Sequence, residues 1–355
     1  MIANERRFAV PDLTTFAQSL LITAGAKETD AARAAEHLVE ANLSGHDSHG
    51  VGLLPAYIRH AQTGLVQLDG EPEVITDTTV LTQMHAHARW GAPSADTLFA
   101  RAAPKARAHG LSCATLADAH HLGRVGAYAE RLSAQGLVSM HFANVTDHTP
   151  LVAPFRGSDA RFGTNPVCIG FPASKARGAF LLDMATSRIA LGKVRVAANK
   201  GLTVPKGALL NEHGMETTDP SGMNDFEVKG ALTPMARHKG YGLAFACELL
   251  AGVLSRSGTI QPAKARRGGI LNSLFSILID PAAFGDPAWM AEEIDAMSDY
   301  ATQSPPMDWD SPVLVPGDAE RAWRGKRERD GVPLDEMTID QLNEAAQAAG
   351  IDARL

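Results

Sequence analysis

Residues 44–58 run Ser44-Gly45-His46-Asp47-Ser48-His49-Gly50-Val51-Gly52-Leu53-Leu54-Pro55-Ala56-Tyr57-Ile58. His46 and His49 stand three apart with an acid and a hydroxyl between them, and Gly45, Gly50 and Gly52 loosen the backbone around them. A helical pattern enters this stretch from residue 30 and another leaves after Pro55, so the histidines fall on a loop between two helices. Loops held by rigid elements are where catalytic groups concentrate. Imidazole exchanges protons near neutrality, which makes His49, with Ser48 beside it, a candidate acid or base for a carbonyl becoming an alcohol. The plainer alternative is a loop whose rings only bond to backbone.

Toward the N-terminus, Leu13, Phe16, Ala17, Leu20 and Leu21 repeat at helical spacing up to Gly25, and Thr29 is placed to cap a second helix with inner face Ala31, Ala35, Leu38 and Asn42. The first 65 residues are thus predicted all-helical. Beyond Val74 the period changes: Val80, Thr82, Met84 and Ala86 alternate as in a strand. An Ala-rich helix over 92–109, a strand at 111–117, a helix at 125–135 and a strand at 137–144 follow. Residues 179–185 predict a buried strand ending in an acid, 240–254 a strongly apolar helix and 273–280 another strand. The prolines at 305, 306, 312 and 316 mark an extended link to a helical tail. The basic run Arg321 to Arg329 alternates with acids and predicts a solvated helix face.

The 355 residues suggest more than one core, and 45% hydrophobic with 21% charged residues is ordinary globular composition. A net charge of -7 offers no electrostatic footprint for nucleic acid or anionic lipid. No stretch approaches the length of a membrane span, and no apolar run follows the basic N-terminus, so the expected location is the cytoplasm. Cys113, Cys168 and Cys247 lie far apart in apolar surroundings and are expected to be buried small hydrophobes.

Other candidate positions follow from local chemistry. His120 and His121 precede Leu122-Gly123-Arg124-Val125-Gly126, where backbone N–H groups at a helix start suit a phosphate and Arg124 adds charge. No G-x-G-x-x-G string occurs, so a bound dinucleotide requires a fold other than Rossmann's. Asp183 ends an apolar strand, needs a partner if buried, and could orient a histidine. His238-Lys239-Gly240 opens the apolar helix and suits an anionic ligand, whereas Gly163-Thr164-Asn165-Pro166 is first of all a turn. A zinc site among His46, His49, His120, His121, His141 and His148 lacks the ligand spacing such sites use.

Six motifs in order, covering nearly the whole chain, resemble the malate/L-lactate dehydrogenase type 2 family. They are Asn42 to Tyr57; His121 to Gly126; Val152 to Phe155 with Arg161 to Pro166; Leu182 to Ser187 with Gly192-Lys193-Val194; His238 to Leu243; and Val315-Pro316-Gly317. With Gly269-Ile270-Leu271-Asn272, they look most like its hydroxycarboxylate dehydrogenase B branch.

The resemblance implies an α/β oxidoreductase with a non-Rossmann mixed-sheet cofactor domain, residues 73–284, beside a helical domain built from both chain ends, 1–72 and 285–355. It implies a homodimer that uses NAD or NADP, NAD being favoured. The substrates implied are 2-oxo and 2-hydroxy carboxylic acids or, alternatively, cyclic imino acids such as piperideine- or pyrroline-2-carboxylate. By similarity His49 is the acid/base, Ser48 and Tyr57 lie near the substrate, and His121 meets the reacting carbonyl or carboxylate; Asp183 and Ser48 are expected to orient ring and substrate, with Leu53 beside it. Cofactor contacts would fall on His49, on Gly123, Arg124 and Val125, and on Phe180, Leu181, Leu182, Asp183 and Met184. Further ones would be His238, Lys239 and Asn272, and the turn Gly317, Asp318, Ala319 and Glu320; no metal is implied. Several relatives carry arginine where this chain has Leu53, and an apolar residue there suggests room for a bulky, even aromatic, 2-oxo acid such as hydroxyphenylpyruvate. The rivals outside this class are a metal-dependent hydrolase using the histidines and a catalytically silent small-molecule binding protein.

Overall fold

A computed structural model describes residues 5–199, 201–223, 228–263, 265–351 and 355. In chain order its elements are β1 (Glu5–Phe8), α1 (Val10–Thr23), α2 (Glu28–Leu43), two 3-10 turns (Asp47–His49 and Val51–Leu53), α3 (Leu54–Gln62), β2 (Glu73–Asp77), β3 (Leu81–His85), α4 (Gly91–His109) and β4 (Leu111–His120). They continue with α5 (Gly126–Ala134), β5 (Val138–Thr146), β6 (Val167–Phe171), β7 (Phe180–Met184), α6 (Leu191–Asn199), the short strands β8 (Leu209–Leu210), β9 (Glu216–Thr217) and β10 (Ala231–Leu232), and α7 (His238–Cys247). A π-helical turn (Glu248–Val253), β11 (Leu271–Ile279), α8 (Pro287–Thr302), α9 (Asp318–Asp330), β12 (Val332–Asp335) and α10 (Glu336–Ala348) complete the order.

Seven strands form one mixed sheet in the order β2-β3-β4-β11-β5-β6-β7, in which β3 and β4 run parallel and every other neighbouring pair antiparallel. Helices α4 and α5 contribute Leu98, Phe99, Tyr128 and Leu132 to a buried cluster with Leu116 and Leu274 of the central strands. A second core joins α1, α2 and α3 to Val332, Leu334, Ile339 and Leu342 near the C-terminus. Each leucine or isoleucine so buried contributes about 1.5–3 kcal/mol. A third cluster gathers Val152, Phe162, Leu209, Leu232 and Ala244 around the small β10-β8-β9 sheet.

Several expectations are corrected. The first 65 residues are not all-helical, because β1 pairs antiparallel with β12, Arg6 opposite Leu334. Its exposed charged residues hide it from a hydrophobic pattern. Helix α2 begins after Lys27 without a side-chain cap, and Thr29 lies inside its first turn. Strand β7 is the sheet edge and mostly half-buried rather than buried. The 240–254 helix changes to π geometry at Glu248, where the buried carboxylate accepts bonds from Asn165, Asn144 and the Ile260 amide. Asn165 is thus more than a turn residue. Cys168 and Cys247 are buried as expected, but Cys113 is only half-buried. Among the described residues, no helix is long and apolar enough to cross a membrane.

Candidate active site

The loop carrying His49 is clamped from both sides. Asn42, at the end of α2, accepts a bond from the Val51 amide at 2.8 Å and donates from Nδ2 to Asp47 at 2.7 Å. Arg327 of α9 donates to both Asp47 carboxylate oxygens, at 2.6 and 3.0 Å, and to the Asn42 carbonyl. His46 Nε2 lies 3.4 Å from Glu320, which holds that carboxyl below its usual range. Close approach explains two glycines: a Cβ on Gly50 would sit 2.2 Å from Asn42 Oδ1, and one on Gly192 would sit 2.3 Å from Ser48 Cβ. Ser48 is thereby pressed against the start of α6, its Oγ 3.5 Å from His49 Nδ1. The expected solvated face over 321–329 is corrected at Arg327, which is buried.

The end of β4 delivers the second half of the site. His121 meets His49 edge-on, ring centroids 5.5 Å apart. Its Nδ1 lies 2.8 Å from the Tyr57 hydroxyl of α3. Burial raises the Tyr57 pKa, so the phenol stays neutral and has one proton to give. Donating it to His121 Nδ1 satisfies both groups, which leaves His121 Nε2 carrying the ring proton. Burial first, then the neighbouring His49, holds His121 well below the ordinary histidine value. Burial also lowers His49, but there the Ser48 backbone and the charge of Asp183 work in the opposite direction. Two adjacent imidazoles therefore sit in different fields: His121 is a neutral N–H donor, and at His49 the Asp183 carboxylate opposes part of the lowering that burial imposes.

The cofactor candidates form a connected strip. Asn272 accepts from the Leu122 amide at 2.8 Å and donates to the Asn144 carbonyl at 3.0 Å, fixing the loop that holds Gly123 to Val125. Asp183 accepts from the Gly126 amide at 3.0 Å, so β7 is tied to the start of α5. At the other end of β7, the Leu181 amide donates to Pro316 at 3.1 Å, which places the Gly317 to Glu320 turn alongside Phe180, Leu181 and Leu182. Beyond Met184, Thr186 accepts from the Met235 amide at 2.9 Å and leads to His238 and Lys239. These two are exposed at the start of α7, a ten-residue helix with no side-chain cap. An uncapped helix start beside a cation suits an anionic group.

Two expected roles are corrected by this geometry. Arg124 does not offer charge to a phosphate: its side chain is 1% exposed and binds Glu130 at 2.9 Å, Ser44 at 3.0 Å and Asp183 at 3.4 Å. The N-terminus of α5 is likewise taken, by Asp183. Asp183 makes no hydrogen bond to a histidine and influences His49 only through its charge. Leu53 is half-buried, with one side on the core of the chain ends, and its expected place beside the substrate stays open to it. His141 is held between Ser276 and Ser139, and among the described residues no three His, Cys, Asp or Glu side chains converge to hold an ion. Asn42 and Arg327 were not singled out from the sequence. Asn42 lay in the helical pattern as a polar member of an apolar face, which is the signal that could have found it.

Comparison with known proteins gives this geometry its context. Residues 8–343 match the model of the malate/L-lactate dehydrogenase family. Hydroxycarboxylate dehydrogenase B of Escherichia coli K12 is 39% identical over 347 residues, 97% of this chain and 95% of that protein. An L-lactate dehydrogenase of Cupriavidus necator is 39% identical over 292 residues, 82% of this chain and 83% of that one. A solved E. coli protein, provisionally described as a malate/lactate dehydrogenase, superposes with a TM-score of 0.92 at 38% identity, covering 98% of this chain and 96% of its own. The chain belongs to the malate/L-lactate dehydrogenase family and is an oxidoreductase acting on CH–OH donors.

Proposed function

We propose that the protein interconverts 2-oxo and 2-hydroxy carboxylic acids with NAD or NADP, NAD being favoured, and that bulky or aromatic 2-oxo acids are its preferred substrates. The observation that carries this reading is the His49–His121 pair, 5.5 Å between ring centres, in which Tyr57 fixes the neutral tautomer of His121 while the charge of Asp183 partly offsets the burial that lowers His49. A nicotinamide bound along the strip of cofactor candidates would supply the hydride in reduction and accept it in oxidation. In reduction, His121 Nε2–H polarises the substrate oxygen and His49, as imidazolium, gives its proton to the developing alkoxide. Ser48 bounds the site beside His49. In oxidation neutral His49 takes the hydroxyl proton.

The strip formed by β7, Asn272, the Gly317 turn and the start of α7 would hold the cofactor, with the exposed Lys239 and His238 toward its phosphates. Gly123, Arg124 and Val125 would then shape its bed, Arg124 by bracing Asp183 rather than by contact. We assign residues 73–284 to a non-Rossmann cofactor domain and 1–72 with 285–355 to a helical one. Support comes from the single parallel strand pair of the sheet and from the core that both chain ends share. The exposed Phe245, Leu249, Val253 and Leu254 offer a second copy an apolar face, in keeping with a homodimer.

The test is loss of absorbance at the reduced-nicotinamide band, with NADH and NADPH separately, against phenylpyruvate, hydroxyphenylpyruvate, pyruvate, 2-oxoglutarate, oxaloacetate and piperideine-2-carboxylate. Turnover on an aryl 2-oxo acid with NADH is expected. Turnover on the imine alone would move the enzyme to imino-acid reduction, and silence with every compound would refute catalysis on these classes.

A further inference from the structure

Behind the reacting pair lies a second pair of histidines that the proposed chemistry does not use. His120 is completely buried, and its Nε2 lies 2.9 Å from Nδ1 of His60 on α3. His60 is 3% exposed, and among the described residues no group bonds His120 Nδ1. Only one nitrogen of the 2.9 Å contact can carry the proton. If His60 donated, His120 would carry its own proton on Nδ1 and bury an N–H without a partner, at a cost of about 1–3 kcal/mol. The economical arrangement therefore has His120 Nε2–H donating to His60 Nδ1, which puts the His60 proton on Nε2.

Bonded in this way, the His120 ring cannot turn. Its edge meets the Tyr57 ring at 4.8 Å and 79°, while Trp90 stands 5.7 Å from Tyr57 and 5.4 Å from His120. Tyr57 is boxed on two sides, and the direction of its hydroxyl toward His121 is set by that box. The pair is not a proton wire, because His120 reaches Tyr57 through ring contact and not through a hydrogen bond. Adjacent side chains at a strand end point to opposite faces, so His120 goes inward as its neighbour His121 goes to the site.

We infer that His60 and His120 are positioning residues, which hold Tyr57 so that its hydroxyl fixes the tautomer of His121. This rests on the reading of His121 as the neutral donor of the site. Resolved ¹⁵N-histidine spectra of the full-length protein are expected to show the Nε2–H tautomer for His60, His120 and His121 alike, a result independent of any substrate. His60→Leu is expected to lower kcat about tenfold to a hundredfold with the cofactor KM within about threefold, the scale of a small misplacement. His60→Asn, whose Oδ1 replaces the accepting Nδ1, should stay within about threefold of wild type. In a Tyr57→Phe background, His60→Leu should cost less than about twofold more, since both changes act through one hydroxyl. Nδ1–H on His120, equal losses in the Leu and Asn variants, or multiplicative losses in the double variant would overturn the inference. A wild-type protein inactive on every 2-oxo acid but showing these tautomers would instead fail the functional reading alone.

Discussion

Removing either partner of the Asp47–Arg327 pair takes away the same two hydrogen bonds, yet the structure predicts unequal costs. The Arg327 side chain is 7% exposed and that of Asp47 51% exposed. Asp47→Ala strands a buried guanidinium that keeps, among the described residues, the Asn42 carbonyl as acceptor and the Trp323 ring at 5.1 Å, and leaving such a charge without its carboxylate costs about 3–5 kcal/mol. Arg327→Met leaves a carboxylate that is half in water and still bonded to Asn42 Nδ2 at 2.7 Å, while the new side chain refills the apolar volume. On the exposed partner's side the loss is that of a largely screened ion pair, about 1 kcal/mol. Urea unfolding should therefore place Asp47→Ala about 2–4 kcal/mol below Arg327→Met, with the double variant near Arg327→Met alone because the stranded charge is gone. Equal costs, the reverse order, or a double variant equal to the sum of the singles would refute the reasoning.

Stability should also fall with acid, because His37, His120 and His141 are held at about 3 by burial. Their folded values lie below the unfolded one, so their stabilising effect is complete above about pH 6.5 and is lost as pH falls toward 3. Each contributes about 1.4 kcal/mol per pH unit and the three together about 4 kcal/mol, and a flat denaturation midpoint between pH 6.5 and 5 would contradict this. At Leu53, Leu53→Arg adds a fork for a carboxylate worth about 1.5 kcal/mol, so kcat/KM for oxaloacetate relative to phenylpyruvate should rise about tenfold, and an unchanged ratio would remove Leu53 from the substrate's surroundings.

What could be seen in the sequence depended on whether a signal was local. The His49 loop stands out because glycines and polar residues interrupt two helical faces, and β3, β4, β5 and β11 announce themselves by alternation and apolar runs. Partners far along the chain leave no such mark. Arg327, 280 residues from Asp47, sits in a run whose alternating charges predict only a solvated face. The glycines before α5 look like a phosphate cradle until Asp183, 57 residues away, is found occupying the Gly126 amide. Strand β1 was hidden because its pairing is with the far end of the chain and its side chains are charged.

The central claim is that His49 moves the proton while the nicotinamide moves the hydride. Its most direct test is His49→Ala, assayed for reduction of the best 2-oxo acid of the panel and, in parallel, for NADH binding by fluorescence. Loss of an acid/base residue should lower kcat by about 10²- to 10⁴-fold with NADH affinity weakened far less. A kcat within about threefold of wild type would make His49 a structural residue of the loop and contradict the account.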